Sequence, residues 1–193
     1  MISRIRSAWI AAALLLSTNA VSAQDGKLRT VHVFVALADN DHQGIVPVTR
    51  IVGNGEDPEH NLYWGSAYGV KTFFSHSPEW KRLGCFGKPK AAILERCVFA
   101  YNKADVYLIA DAYRGIEIRQ AILDFLDSAA GGSVEFIPAT TSKTGAVLKV
   151  PIYGGADLLA YVGPRRADGF SASAISAAKR WNSPGCHCAG LRQ

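Results

Sequence analysis

The sequence predicts an α/β fold in which helices cover both faces of a mostly parallel sheet, giving three layers. Three short apolar runs, at residues 31–38, 106–112 and 158–162, have the length and β-branched composition of buried strands. Before the last of them, residues 116–130 place apolar side chains at helical spacing and end at a Gly-Gly pair. Strands that alternate with helices along a chain are typical of parallel sheets.

The N-terminal 23 residues predict a secretory signal peptide. Arg4 and Arg6 give a positive start, residues 8–16 form an apolar run, and residues 21–23 place small side chains at the cleavage positions. The apolar run is about half as long as a bilayer crossing requires. We therefore expect a mature chain that begins near Gln24, is periplasmic or secreted, and has no membrane span after signal cleavage.

The remaining elements follow in chain order. Residues 44–59 are rich in glycine and proline and predict a loop. Residues 61–75 place apolar side chains at helical spacing in spite of two glycines, and residues 91–101 predict a strand or a short strand with bent flanks. Residues 134–137 predict a further short strand.

The chain changes character after Gly163. Residues 164–193 are rich in Ala, Ser, Gly, Pro and Arg and contain no apolar run. We therefore expect one domain over residues 24–163, followed by an irregular basic tail, with the C-terminal strands of a complete sheet missing. Residues 24–163 contain 14 Lys or Arg against 15 Asp or Glu, so the basic charge belongs to the two ends. This distribution argues against a nucleic-acid surface on the domain.

Candidate binding residues lie where the predicted parallel strands end, because ligands of open α/β sheets bind beyond those ends. His42 and Asp41 are suited to acid–base work, and Arg114 is suited to holding a carboxylate. Alternatively, the aspartates only form a turn and Arg114 pairs with a nearby acid. The candidates for an unidentified small molecule or peptide are Asp39, Asp41, His42, Gln43, Asp111 and Arg114.

The cysteines leave two interpretations open. Cys85 and Cys97 either form a disulfide in an oxidising compartment or contribute to the core. The tract at residues 186–188 (Cys-His-Cys) is too compact for a structural zinc site. The sequence contains no glycine-rich phosphate loop after the first strand, no Gly-x-Ser-x-Gly elbow and no His-Glu-x-x-His helix. We expect no cofactor and no bound metal, and we assign no catalytic residue.

Several motifs together resemble a family of exported, uncharacterised bacterial proteins. They are residues 33–37 (VFVAL), 43–48 (QGIVPV), 53–58 (GNGEDP), 61–65 (NLYWG), 68–69 (YG) and 110–115 (ADAYRG). The resemblance covers roughly residues 31–163. It implies a caspase-like or Rossmann-like sheet in which a His follows the strand that matches residues 158–163 and a Cys follows a later strand. Such a pair resembles the dyad of caspase- and clostripain-like cysteine peptidases, in which the His activates the Cys nucleophile.

This chain departs from the family pattern directly after Gly163, where Pro164 and Arg165 stand in place of the His. Codons compatible with residues 164–170 and 187–191 give the family's His and Cys motifs when they are read one base later. We therefore interpret residues 164–193 as an out-of-frame translation caused by a frameshift, with a genuine, diverged tail as the alternative. The sequence then predicts a truncated, inactive relative of a hydrolase family, or alternatively a non-catalytic exported binding protein.

Overall fold

The computed structural model describes residues 28–140 and 145–164. The strands are β1 (Arg29–Ala36), β2 (Trp80–Lys90), β3 (Ile93–Tyr101), β4 (Val106–Tyr113), β5 (Val134–Thr140), β6 (Val147–Tyr153) and β7 (Leu158–Val162). The helices are α1 (Val70–His76) and α2 (Ile118–Ala129), and a 3₁₀ turn (Gly115–Glu117) leads into α2. The predicted signal peptide, and the predicted tail from residue 165 onward, lie outside the described residues.

The main sheet is mixed, with the strand order β2-β3-β4-β1-β7. Strand β1 pairs in parallel with β4 on one side and with β7 on the other. Strands β2, β3 and β4 form an antiparallel meander, and β5 and β6 form a separate antiparallel pair. The predicted parallel three-layer α/β fold is therefore wrong, because the described part of the chain is mostly β.

The wrong prediction has a physical cause in the connections. A parallel pair needs a long crossover, whereas antiparallel strands can be joined by a few residues. Only residues 91–92 separate β2 from β3, and only residues 102–105 separate β3 from β4. Strand β2 was missed because its sequence (WKRLGCFGKPK) is polar and half-exposed at the sheet edge, without an apolar signal. The sequence analysis also predicts no strand at β6 (Val147–Tyr153).

The two faces of the main sheet bury different sets of side chains. Helix α2 and the β5–β6 pair cover one face, where Phe34, Ile109 and Tyr113 are fully buried. Helix α1 and the segment before it cover the other face, where Trp64 packs with the apolar side chains of β1, β3 and β4. Strand β1 is thus central, with five consecutive buried residues from His32 to Ala36.

Predicted and observed elements agree best around this centre. The predicted strands at 31–38, 106–112 and 158–162 correspond to β1, β4 and β7, and the predicted helix at 116–130 corresponds to the 3₁₀ turn and α2. The predicted helix at 61–75 is only partly correct, because turns occupy residues 62–69 before α1 begins. Gly65 and Gly69 pack directly on neighbouring backbone and leave no room for a β-carbon.

The structure decides between the two interpretations of Cys85 and Cys97, which form a disulfide. The two residues lie directly opposite each other in the β2–β3 pair, and Cys97 is fully buried. The bond therefore ties the edge strand β2 to the core of the sheet. Within residues 28–140 and 145–164, neither helix has the length and apolar character needed to cross a bilayer.

Candidate functional site

A cleft of about 710 Å³ opens where β1 and β4 end. Four of the six predicted binding residues line it, namely Asp39, Asp41, His42 and Arg114. They converge because β1 and β4 are parallel neighbours in register, so that the segments following them leave the same edge of the sheet. The loop over residues 48–56 supplies most of the remaining wall. This location agrees with the rule for parallel strand ends, although β2, β3 and β4 pair in antiparallel fashion.

The Asp39 carboxylate in the cleft is held by two hydrogen bonds from its own loop. Its Oδ1 accepts a hydrogen bond from the Asp41 backbone N–H at 2.9 Å, and its Oδ2 lies 2.9 Å from His42 Nδ1. An ionised carboxylate can only accept, so His42 Nδ1 carries the proton in this pair. The basic nitrogen of the neutral ring is then Nε2. The imidazole is about half exposed, at 46%, whereas Asp39 is nearly buried.

Two glycines make room for the Asp39 carboxylate. A β-carbon on either Gly55 or Gly115 would lie 2.5 Å from Asp39 Oδ2. The Gly115 N–H also donates to the Gly55 carbonyl at 2.9 Å, which holds the two loops together behind Asp39. Because real β-carbons do not approach so closely, both positions require glycine while Asp39 stays in place.

The basic residues of the cleft differ in their pairing. Arg114 Nε donates to both carboxylate oxygens of Glu56, at 2.9 and 3.1 Å. These hydrogen bonds and the Glu56 charge raise the pKa of Arg114 above its ordinary value. The structure thus pairs Arg114 with a neighbouring acid, as the alternative interpretation expected. Arg50 also lines the cleft and has no ion-pair partner among the residues that the structure describes.

Gln43 does not line the cleft. It is fully buried beneath the loop, and its side-chain amide donates to Asn40 Oδ1 at 3.2 Å. The Asn40 side chain in turn donates to the Val48 carbonyl and accepts from the Val48 N–H, each at 2.9 Å. Gln43 therefore supports the shape of the loop over residues 40–48 and does not present a group to a ligand in the cleft.

Asp111 lies away from the cleft, fully buried under β6. Arg96 donates to both of its oxygens at 2.6 Å, and His32 Nε2 lies 3.1 Å from Oδ2. The Tyr153 backbone N–H donates to His32 Nδ1 at 2.9 Å, so the His32 proton is on Nε2 and the ring is neutral. Burial alone would raise the pKa of Asp111, but the hydrogen bonds from Arg96 and His32 lower it below its usual range. Asp111 thus belongs to a closed core network.

Sequence reasoning missed Arg50, Glu56 and the two glycines that make room for Asp39, Gly55 and Gly115. All but Gly115 lie in the segment that was predicted only as a loop. The Gly-Asn-Gly sequence at residues 53–55 was the available signal, because closely spaced glycines in a loop indicate a close approach of backbone to another group. No sequence pattern indicated that Arg50 would reach the same cleft.

A cysteine nucleophile is absent from the described part of the chain, because its two cysteines, Cys85 and Cys97, form a disulfide. Cys186 and Cys188 lie outside the described residues. Asp39 and His42 form a carboxylate–imidazole pair, which can hold and orient a polar ligand or accept a proton from one. The cleft thus combines an oriented imidazole, an ion pair, and the Arg50 guanidinium, which has no ion-pair partner within residues 28–140 and 145–164.

The chain matches no known family model, and comparisons with curated proteins and with solved structures find no significant similarity.

Proposed function

We propose that the protein is an exported binding protein whose cleft at the ends of β1 and β4 holds a short peptide or similar small molecule by its carboxylate. The observation that carries this proposal is Arg50, a guanidinium on the cleft wall without an ion-pair partner among the described residues. Arginine presents a planar set of donors that fits a carboxylate with two hydrogen bonds. Of the other charged groups, Arg114 is paired with Glu56, and Asp39 accepts a hydrogen bond from His42. The Asp41 carboxylate also lines the cleft, without an ion-pair partner among the described residues.

The walls of the cleft also suit a peptide. Ile116 and Val48 line it, and Ile116 is 55% exposed. Ile45 and Val46, in the loop over residues 40–48, are 44% and 84% exposed. Exposed apolar side chains beside a few fixed polar groups are typical of sites that take small ligands with apolar parts. In this arrangement Arg50 binds the carboxylate, and the oriented His42 contacts a polar group further along the ligand.

Replacing Arg50 with glutamine should weaken peptide binding at least tenfold, because a hydrogen-bonded charge pair contributes about 1.5–3 kcal/mol. The probe is a set of fluorescent short peptides that have a free C-terminal carboxylate, measured by anisotropy. Arg119→Gln is the matched control, since it removes the same charge from an exposed position on α2. The control should bind like the wild type, and peptides with an amidated C-terminus should bind as weakly as Arg50→Gln. Equal binding of acid and amide peptides, or binding of neither, would contradict the proposal.

A second candidate is descent from a cysteine-peptidase-like family whose dyad residues follow β7. The supporting observation is that β7 is the other parallel neighbour of β1, so the segments after β1, β4 and β7 leave the same edge of the sheet. Gly163 lies directly against the end of β1, where a β-carbon would approach Ala36 Cβ to 2.9 Å. A His that followed Gly163 would therefore begin near the Asp39 cleft.

Restoring the alternative reading frame after codon 163 tests this second candidate. The restored protein should react with an iodoacetamide probe at the new Cys, and replacing the new His with alanine should lower the labelling rate at least tenfold, since the His activates the thiol. The chain as given serves as the control. A restored protein whose new Cys is not labelled, or is labelled equally fast without the His, would exclude a peptidase dyad.

A further inference from the structure

A second group of chemically active side chains lies on the opposite side of the β2–β3 pair from the Asp111 network. The donor atoms of Cys85, Glu95 and Cys97 all lie within 4.8 Å of one another. Glu95 and Cys97 are two residues apart on β3 and therefore point to the same face, and Cys85 lies directly opposite Cys97 on β2. Two sulfurs and a carboxylate on one face are a donor set that zinc binds in proteins.

The Glu95 carboxylate is held in place by its neighbours. The buried Trp64 indole N–H donates to Glu95 Oε2 at 2.7 Å, and Lys71 Nζ lies 3.1 and 3.2 Å from the two oxygens. The Lys71 side chain is only 13% exposed, so its charge acts at short range with little water around it. Hydrogen bonds of this kind orient carboxylates that bind metal ions.

We propose that reduction of the Cys85–Cys97 disulfide converts this group into a site for Zn²⁺, with the two sulfurs and one Glu95 oxygen as ligands. A dithiol reductant supplies two electrons and two protons, the S–S bond breaks into two thiols, and the reductant becomes a disulfide. Zinc then displaces both thiol protons to solvent. The fourth position of the ion takes water.

Cations lie against the negative charges of the proposed site. Two thiolates and one carboxylate carry three negative charges, of which Zn²⁺ offsets two, and the Lys71 ammonium, which also contacts Glu59, lies beside the Glu95 carboxylate. Cys85 is partly exposed, which gives the reductant and the metal a route to the buried Cys97. The two sulfurs must separate to about 3.8 Å, the edge of a tetrahedron with 2.3 Å zinc–sulfur bonds. Rotation of the partly exposed Cys85 side chain provides this separation.

The test compares the oxidised protein with protein reduced by a dithiol and then desalted without oxygen. A Cys186→Ser/Cys188→Ser background removes the other cysteines. The reduced protein should bind one Zn²⁺ in native mass spectrometry, and Co²⁺ in its place should give a thiolate-to-cobalt absorption band. The oxidised protein should bind none. Zinc bound equally by both forms, or by neither, would overturn the proposal.

Two variants distinguish zinc binding by this three-ligand site from zinc binding by the two thiols alone. Glu95→Gln should weaken zinc binding at least tenfold in a competition titration, because it removes a ligand. Glu59→Gln is the matched control, since Glu59 accepts a 2.7 Å hydrogen bond from the same Lys71 Nζ but lies outside the cluster. It should bind zinc like the parent. Equal affinities for Glu95→Gln and the parent, or a reduced protein whose circular dichroism shows a lost sheet that zinc does not restore, would overturn the proposal.

Discussion

Replacing Asp111 with alanine should lower the free energy of unfolding by about 3–5 kcal/mol, the cost of removing one partner of a buried ion pair. The variant leaves the Arg96 guanidinium buried beneath β6 without its carboxylate. Among the residues that the structure describes, the Arg96 guanidinium would retain its 3.1 Å hydrogen bond to the Tyr153 hydroxyl. The Nε2–H of His32 would also lose its acceptor. Chemical denaturation of the purified protein measures the change.

The matched control is Asp57→Ala, which also removes an aspartate that is paired with a histidine. Asp57 and His60 are 36% and 65% exposed, and exposed pairs contribute little because water screens them. The control should change the unfolding free energy by less than about 1 kcal/mol. A double variant, Asp111→Ala with Arg96→Met, should regain part of the loss, since it removes the unpaired charge as well. Equal effects of Asp111→Ala and Asp57→Ala would contradict the core network described above.

The parts of the fold that could be predicted are those with a strong local signal. Strand β1 is buried on both faces, so its sequence from Val31 to Ala36 is apolar except for His32, and α2 has apolar side chains on one side only. Strand β2 gives no such signal, because it is an edge strand with Lys, Arg and Pro. Without β2, the antiparallel meander was not predicted, and the alternation of strands and helices indicated a parallel sheet instead.

The same reasoning explains which site residues were predicted correctly as neighbours. Asp39 and Arg114 follow parallel strands, and a parallel pair brings the following residues together whatever the rest of the sheet does. Asp111 was grouped with them because it stands near the end of β4. The Asp111 side chain, however, lies on the side of the sheet that β6 covers, opposite Arg96 of the neighbouring strand. The face of a strand residue depends on register and on the covering layer, neither of which is evident from the residues of β4 alone.

Replacing Gly115 with alanine should weaken peptide binding in the proposed cleft at least tenfold and lower the free energy of unfolding by about 1–3 kcal/mol, as overpacking does. The added β-carbon would lie 2.5 Å from Asp39 Oδ2 and 2.7 Å from the Gly55 Cα. Since backbone surrounds the Asp39 carboxylate there, Asp39 or the Gly55 loop must move. Movement of Asp39 releases His42 from its 2.9 Å hydrogen bond, and movement of the Gly55 loop displaces the wall that carries Arg50.

Gly87→Ala is the control that separates this steric effect from the general effect of replacing a glycine. Gly87 lies in the exposed part of β2, and a β-carbon there would meet no atom within 4 Å. This variant should change the unfolding free energy by less than about 0.5 kcal/mol, as exposed substitutions usually do. Both variants would be measured by denaturation and by anisotropy with the same peptides. If Gly115→Ala bound peptide as tightly as Gly87→Ala, the position of Asp39 would not matter to the ligand, and the cleft at the ends of β1 and β4 would not be the binding site.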